Sequence, residues 1–147
     1  MKHPEVINLG SVEIHYCLEG ADTNGGISMF RCVVAAGSRV PAPHYHEHFD
    51  ETIYGLEGTT TFTVDGKELP LGPGDYCFIP RGAVHGFENR TDGTISFLAI
   101  ASPGVFQASY FRELSEVLSA GSPPDLTQLK EIMMQHGLIP SAPALRA

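Results

Sequence analysis

The chain has 147 residues, a formal net charge of -8, 42% hydrophobic residues and 18% charged residues. This composition excludes a largely disordered chain, because the apolar content suffices for one continuous core and the charge is too low to keep it unfolded. An excess of 17 acidic over 9 basic residues argues against nucleic acid as a partner, since phosphate binding requires clustered Lys and Arg. No apolar run approaches the roughly 18 residues of a membrane span, and no secretory signal pattern opens the chain, so we expect a cytoplasmic protein without a membrane partner.

Turn-forming residues are frequent, with 16 glycines and 11 prolines, which favours an all-β fold of short strands over a helical bundle. Alternating apolar residues predict a half-buried strand over residues 12–18. A β-branched and aromatic run predicts a second strand over residues 27–35. Further strands are predicted at residues 44–48, 51–57, 59–64, 67–69, 75–79, 84–88 and 94–101.

The carboxyl-terminal part changes character, because apolar side chains recur there at helical spacing. A first helix is predicted to begin with Ser102 as its N-cap and Pro103 at its first position. A second helix is predicted from Asp125, as its cap, to Gly137, where it ends. We therefore expect a barrel over residues 1–102, a helical extension packed on it over residues 103–138, and a loose tail over residues 139–147.

Residues 44–51 contain three imidazoles and three carboxylates. On a strand, His44 and His46 project to one face about 6.6 to 6.8 Å apart, so both can reach one ion about 2 Å from each nitrogen. Glu51 has the opposite parity to His46 and joins the pair only if the backbone bends between residues 47 and 50. The sequence therefore predicts a turn or bulge there, with Glu51 facing inward at the start of the next strand.

A further candidate ligand, His85, follows a Pro-Arg-Gly turn in a separate segment. If its strand lies beside that of His44, the site has three histidines and one carboxylate and leaves one or two positions of an octahedral ion open. These donors do not choose among Fe, Mn, Ni, Co, Cu and Zn, so we expect one divalent transition metal of unknown identity. Glu51 is also the candidate catalytic base. The competing interpretation is that these are ordinary surface histidines and that Glu51 is exposed or only supports a ligand.

Two segments resemble the motifs of the cupins. The first motif is matched over residues 37–58 by Gly37, His44, His46, Glu51 and Gly58, with one residue more than usual after Gly37. The second is matched without a gap over residues 74–89 by Gly74, Pro80, Gly82, His85 and Asn89. The resemblance covers about residues 27–101, and residues 50–58 are most similar to single-domain quercetin-dioxygenase-like cupins. It implies a small double-stranded β-helix, or jelly-roll barrel, whose ligands are His44, His46, Glu51 and His85.

The resemblance also implies a metal-dependent enzyme acting on a small organic molecule, most simply a dioxygenase-type oxidoreductase. Two alternatives stay open: a non-redox isomerase, decarboxylase or hydrolase, and a non-catalytic small-molecule-binding cupin. Such barrels commonly pair near the N-terminus, and the apolar run at residues 27–35 offers an edge that needs covering, so a homodimer is expected. Gly55 stands where such sequences usually carry a bulky residue and shares the face of Glu51, which predicts a cavity enlarged near the metal.

Overall fold

The structure is a computed structural model that describes residues 2–39, 42–120 and 123–141. In chain order its strands are β1 (Glu5–Asn8), β2 (Val12–Leu18), β3 (Ser28–Val34), β4 (His44–His46), β5 (Asp50–Glu57), β6 (Thr60–Val64), β7 (Lys67–Leu71), β8 (Tyr76–Ile79), β9 (His85–Glu88), β10 (Ile95–Ser102) and β11 (Leu138–Pro140). Two α-helices, α1 (Ala108–Leu118) and α2 (Leu126–Gln135), separate β10 from β11 along the chain. Neither helix in these ranges combines the length and the apolar content needed to cross a membrane.

The strands form two antiparallel sheets around one hydrophobic core. The six-stranded sheet has the order β1-β2-β3-β10-β5-β8, and the five-stranded sheet has the order β11-β4-β9-β6-β7. Side chains of β3 alternate strictly between buried and half-buried, as a strand with one face on a core requires. Its buried residues pack with inward residues of neighbouring strands, among them Ile14, Phe30, Ile53 and Phe97. The predicted all-β jelly-roll barrel with two carboxyl-terminal helices is confirmed.

Each strand predicted from the sequence is present within a few residues, but two strands have no predicted counterpart. β1 and β11 are short, and neither has the alternation that identifies longer strands. The prediction that residues 27–35 form an uncovered sheet edge is wrong, because β3 is paired on one side with β2 and on the other with β10. The homodimer therefore stays a prediction that this edge no longer supports.

The second helix follows its prediction, and the first begins later than predicted. The Asp125 carboxylate accepts hydrogen bonds from the first turn of α2, and Gly137 follows its end with a φ of 76°. α1 begins at Ala108, because Ser102 is still paired in β10. The backbone N–H groups of its first turn have no partner within the helix. That of Ala108 donates to the carboxylate of Glu19, a residue far away in sequence, at 2.8 Å.

Residues 138–140 return to the barrel after α2 and pair with β4. The sequence placed Ile139 and Pro140 in the loose tail, whereas both belong to β11. The rest of that predicted tail, residues 142–147, lies outside the described residues. The strand that carries His44 and His46 therefore has β11 on one side and β9 on the other.

Candidate metal centre

Two strands that are far apart in sequence bring three histidines together. His44 of β4 lies directly opposite His85 of β9, and His46 lies two residues further along the same face of β4. The three side chains are buried, and one ring nitrogen from each lies within 4.8 Å of the other two. The predicted juxtaposition of His85 with the pair at 44 and 46 is present.

The backbone fixes how two of these imidazoles are oriented. The Nδ1 atom of His44 lies 3.1 Å from the Ala42 carbonyl oxygen, and that of His85 lies 2.9 Å from the Ala83 carbonyl oxygen. Because a carbonyl oxygen only accepts, each Nδ1 carries the proton and donates it, which leaves the lone pair on Nε2. This is the arrangement that orients metal-binding histidines in proteins.

Aromatic packing and a tight turn support the cluster from behind. The ring of His46 stacks on the buried Phe49, with ring centroids 4.2 Å apart. Gly82 has a φ of 87°, a conformation that favours glycine, and its N–H donates to the His46 carbonyl oxygen at 2.9 Å. The turn that precedes His85 is thus joined to the strand of His46. No sequence pattern singles out Phe49 for this supporting role.

Burial keeps the imidazoles neutral. It lowers the pKa of His44 to about 4 and that of His46 to about 2, and the neighbouring imidazoles act in the same direction. Burial also lowers the pKa of His85. All three rings are therefore uncharged at neutral pH, which is the state that binds a metal ion.

Glu51 reaches the cluster because the chain bends between β4 and β5. β4 ends at His46 and β5 begins at Asp50, so the predicted bend is confirmed and Glu51 faces inward. Its Oε2 atom lies 3.3 Å from His46 Nδ1 and 4.0 Å from His85 Nε2. Burial raises the pKa of this carboxyl group to about 8, so without a cation it holds a proton at neutral pH.

These distances fit donors that surround one ion. Two ligand atoms about 2.1 Å from a metal lie about 3 Å apart at a right angle and about 4.2 Å apart on opposite sides. The separations of Glu51 Oε2 from His46 and His85, 3.3 and 4.0 Å, fall close to this range. Neutral imidazoles and a carboxylate are also donors that divalent transition metals accept. His44, His46 and His85 could therefore hold one such ion. Glu51 lies beside two of them but outside the group whose donor atoms are all within 4.8 Å of one another, so it is a candidate fourth ligand.

A cavity of about 190 Å³ adjoins the histidines and Glu51. Its wall is mostly apolar, with both sheets and both helices contributing, for example Phe30, Phe97, Phe106, Phe111, Leu114 and Met133. The helices are therefore more than a packed extension of the barrel, because they form part of the cavity wall. Helical periodicity reveals an apolar face, but it does not tell whether that face covers a sheet or encloses a cavity.

Gly55 does not enlarge this cavity, and that expectation is wrong. The residue is buried on the inward face of β5, as predicted. However, a Cβ atom there would lie 2.1 Å from the Gly72 carbonyl oxygen. The turn at residues 72–75 fills the space: the Gly55 N–H donates to the Asp75 carbonyl, and the Gly74 N–H donates to the Gly55 carbonyl. The glycine permits close backbone packing, and it is not among the described residues that line the cavity.

A jelly-roll barrel that encloses a buried cluster of histidines defines the class of protein. Residues 30–101 match the family model described as "Cupin domain". The chain is also 34% identical over 92 residues to the oxalate-binding protein of Thermotoga maritima, covering 62% of this chain and 75% of that protein. The chain belongs to the cupin family.

Two further comparisons define how far the similarity extends. The chain is 38% identical over 80 residues to quercetin 2,3-dioxygenase of Bacillus subtilis, which is 54% of this chain but 23% of that protein. A crystal structure of a predicted oxalate decarboxylase from Thermotoga maritima superposes with a TM-score of 0.60 at 33% identity, covering 69% of this chain and 92% of the other. The chain thus spans less than a quarter of the dioxygenase it matches.

Proposed function

We propose that this cupin is a metal-dependent enzyme of the dioxygenase type that acts on a small, largely apolar organic molecule. The observation that carries the proposal is the position of three neutral imidazoles and one buried carboxylate beside an apolar cavity. The similarity to a protein named quercetin 2,3-dioxygenase supports the reaction class. The expected small-molecule partner, the homodimer, the cytoplasmic location and the lack of nucleic-acid or membrane partners stay predictions from the sequence.

In this proposal His44, His46, His85 and Glu51 bind one divalent transition metal from the group Fe, Mn, Ni, Co, Cu and Zn. The bound ion supplies a Lewis acid and, if it is redox-active, a means of activating dioxygen. The Ala42 and Ala83 carbonyls hold two of the imidazoles in orientation. Glu51 is also the proposed catalytic base, with the carboxylate oxygen that does not bind the ion as the atom that would accept a proton from a substrate hydroxyl. The apolar wall excludes water from the reacting groups.

The size of the cavity limits the substrate. A volume of about 190 Å³ is somewhat larger than the roughly 150 Å³ apolar cavity that holds one benzene molecule. One ring with short substituents, or an aliphatic molecule of similar volume, fits this space. The volume favours such molecules over compounds with several rings.

Two other functions use the same residues. A non-redox isomerase, decarboxylase or hydrolase is favoured by Glu51, because a buried carboxyl group with a pKa of about 8 suits proton transfer without dioxygen. A non-catalytic binding function is favoured by the relative named oxalate-binding protein. Substrate-dependent oxygen uptake supports the dioxygenase, turnover under argon supports the non-redox enzyme, and saturable binding without product supports the binding protein.

The metal site is tested by elemental analysis of the purified wild type, His46→Ala and His48→Ala. His48 is the matched control because its side chain is 68% exposed and lies outside the cluster of three histidines. We expect a transition metal in the wild type and in His48→Ala. In His46→Ala we expect roughly a hundredfold weaker affinity for the metal, because one of its proposed ligands is lost. Equal metal content in the wild type and His46→Ala contradicts the assignment.

A further inference from the structure

Within the part of the chain that the structure describes, four strands lie at sheet edges, and three of these edges are protected. β7 carries two charged residues and Pro70. β11 turns Pro140, which has no N–H, toward its free side, because the residues on either side of Pro140 are the ones that face β4. β1 is contacted by α1, since the Ser115 hydroxyl group donates to the Asn8 carbonyl oxygen at 2.7 Å. Charges, prolines and covering helices are the means by which proteins prevent edge strands from pairing with another chain.

The fourth edge strand, β8, lacks these protections. Its residues, Tyr76–Ile79, include no charged residue and no proline. Tyr76 is 73% exposed and Phe78 is 60% exposed, and both lie on the outward face of the sheet. Tyr54, which is 44% exposed, lies directly opposite Tyr76 on β5. An uncharged edge strand beside exposed aromatic rings is a surface on which another strand can pair.

The backbone groups of Tyr76 and Phe78 point toward the free side of β8. The Gly55 N–H donates to the Asp75 carbonyl oxygen at 2.8 Å, so the backbone of Asp75 faces β5. Successive residues of a strand direct their N–H and C=O groups to alternate sides. Cys77 therefore also faces β5, whereas Tyr76 and Phe78 face away from it. No described residue forms a hydrogen bond with the N–H or C=O groups of these two aromatic residues.

This row of backbone groups is complementary to a second copy of itself. If β8 pairs antiparallel with its own copy about a two-fold axis at Cys77, each Tyr76 exchanges two hydrogen bonds with Phe78 of the other copy. Four bonds then satisfy every free group on both edges, and the aromatic side chains pack in cross-strand pairs. The two neighbouring registers are worse. One of them uses Gly74, whose N–H already donates within the chain, and the other uses Pro80, which has no N–H.

The exposed aromatic area indicates a reversible dimer. An aromatic side chain presents about 200 Å², so the exposed fractions of Tyr76, Phe78 and Tyr54 amount to about 350 Å² per copy. Stable interfaces bury about 1,200 Å² or more in total, and weaker ones bury less. Two copies start from about 700 Å² of aromatic surface, which places the contact in the weaker class. β8 brings no charged side chain to it, so two chains with a net charge of -8 can approach there.

We propose that β8 is a docking surface for a second copy of this chain. The two six-stranded sheets then continue into each other across a two-fold axis at Cys77. The contact lies at the opposite edge of the sheet from β1, away from the N-terminal strands through which the sequence resemblance leads one to expect pairing. It depends neither on a bound metal nor on the proposed reaction.

The docking surface is tested by sedimentation equilibrium of the wild type, Phe78→Lys and Val6→Lys. Val6 is the matched control, because it lies on the outward face of the other edge strand of the same sheet and is 56% exposed. We expect the wild type and Val6→Lys to dimerise with a dissociation constant on the order of 10 μM. In Phe78→Lys the association should be about tenfold weaker or lost, since each copy brings a charge to the contact.

Cys77 provides a second test of the same register. The two Cys77 Cα atoms would lie about 4.5 Å apart, within the range that a disulfide bridges. Diamide should therefore link the wild type and Cys17→Ser into covalent dimers on a non-reducing gel, and should not link Cys77→Ser.

Four results overturn the proposal: a dimer that Phe78→Lys does not weaken, an equal loss of association in Val6→Lys, a dimeric wild type that forms no disulfide through Cys77, or a wild type that is monomeric at about 200 μM, well above the expected dissociation constant. In the last case the edge of β8 is open to a strand of a different protein, and the second copy is excluded as its occupant.

Discussion

Two residues on the inward face of β5 have different surroundings: one faces the cavity and the other is packed against backbone. Glu51, near the start of the strand, lines the cavity and contacts His46. Gly55, four residues later, is pressed against the backbone of Gly72. Alternation along a strand predicts the face on which a side chain lies. What lies opposite that face depends on segments that return from elsewhere in the chain, and this differs between the two ends.

The largest effect on stability is expected from Gly55→Val, in the part of β5 that packs against the turn at residues 72–75. The new side chain would begin 2.1 Å from a backbone oxygen, so the turn at residues 72–75 must move, at a cost of at least about 3 kcal/mol. Thermal unfolding should show a large drop in Tm or a loss of cooperative folding. Gly93→Ala is the matched control, because a Cβ atom there meets nothing within 4 Å. A Gly55→Val protein as stable as the wild type would show that this end also opens onto free space.

At the cavity end, Glu51→Gln should reduce metal affinity and leave the fold intact. The amide has nearly the same shape as the protonated carboxyl group that a pKa of about 8 implies at neutral pH, so metal-free stability should change little. Loss of an anionic ligand should weaken zinc binding roughly 10- to 100-fold, measured by competition with a chromophoric chelator. Unchanged affinity would mean that Glu51 is not a ligand.

The same carboxyl group gives metal binding a defined pH dependence. Burial raises the pKa of Glu51 to about 8. Below that pH a cation that binds to Glu51 must therefore displace the proton of its carboxyl group. Zinc affinity should therefore rise about tenfold per pH unit toward pH 8 and level off above it. His44 and His46, with pKa values lowered to about 4 and about 2, add no slope above pH 5. Competition titrations of the wild type and Glu51→Gln should differ in slope, and equal slopes would refute the role of Glu51.

The smallest effect is expected from Asp50→Asn, at the first residue of β5. The Asp50 carboxylate accepts the Arg81 N–H at 2.9 Å and contacts its guanidinium, and both side chains are partly exposed. Asparagine keeps an oxygen that can accept the backbone N–H, and exposed ion pairs contribute little. The Tm measured by calorimetry should stay within about 1 °C of the wild type. A large drop would show that this surface contact matters as much as the buried packing at Gly55.

The sequence predicted those features that depend on neighbours along the chain. Periodicity located β2, and β-branched and aromatic content located β3. Local cap chemistry located the start of α2 at Asp125, and strand parity required the bend before Glu51. The cupin resemblance implies that His85 lies with His44 and His46, and the pairing of His44 with His85 agrees with it. These predictions succeeded because the signal lies within a few residues or within a motif of fixed spacing.

Features that depend on distant partners were missed. The start of α1 is set by Glu19, which lies far from it in sequence. The packing around Gly55 depends on Gly72. The two short strands β1 and β11 exist because β2 and β4 offer them pairing partners.

The pairing of β4 with β11 determines when the histidine strand is complete. β4 shares one residue pair with β9 and three with β11, the last strand in the chain order. Because synthesis proceeds from the N-terminus, Leu138–Pro140 leave the ribosome after every other strand of the described residues. Until this segment pairs with β4, one edge of the strand that carries His44 and His46 lacks its hydrogen-bonding partner. Removal of residues 138–140 would leave that edge of β4 open in the folded protein.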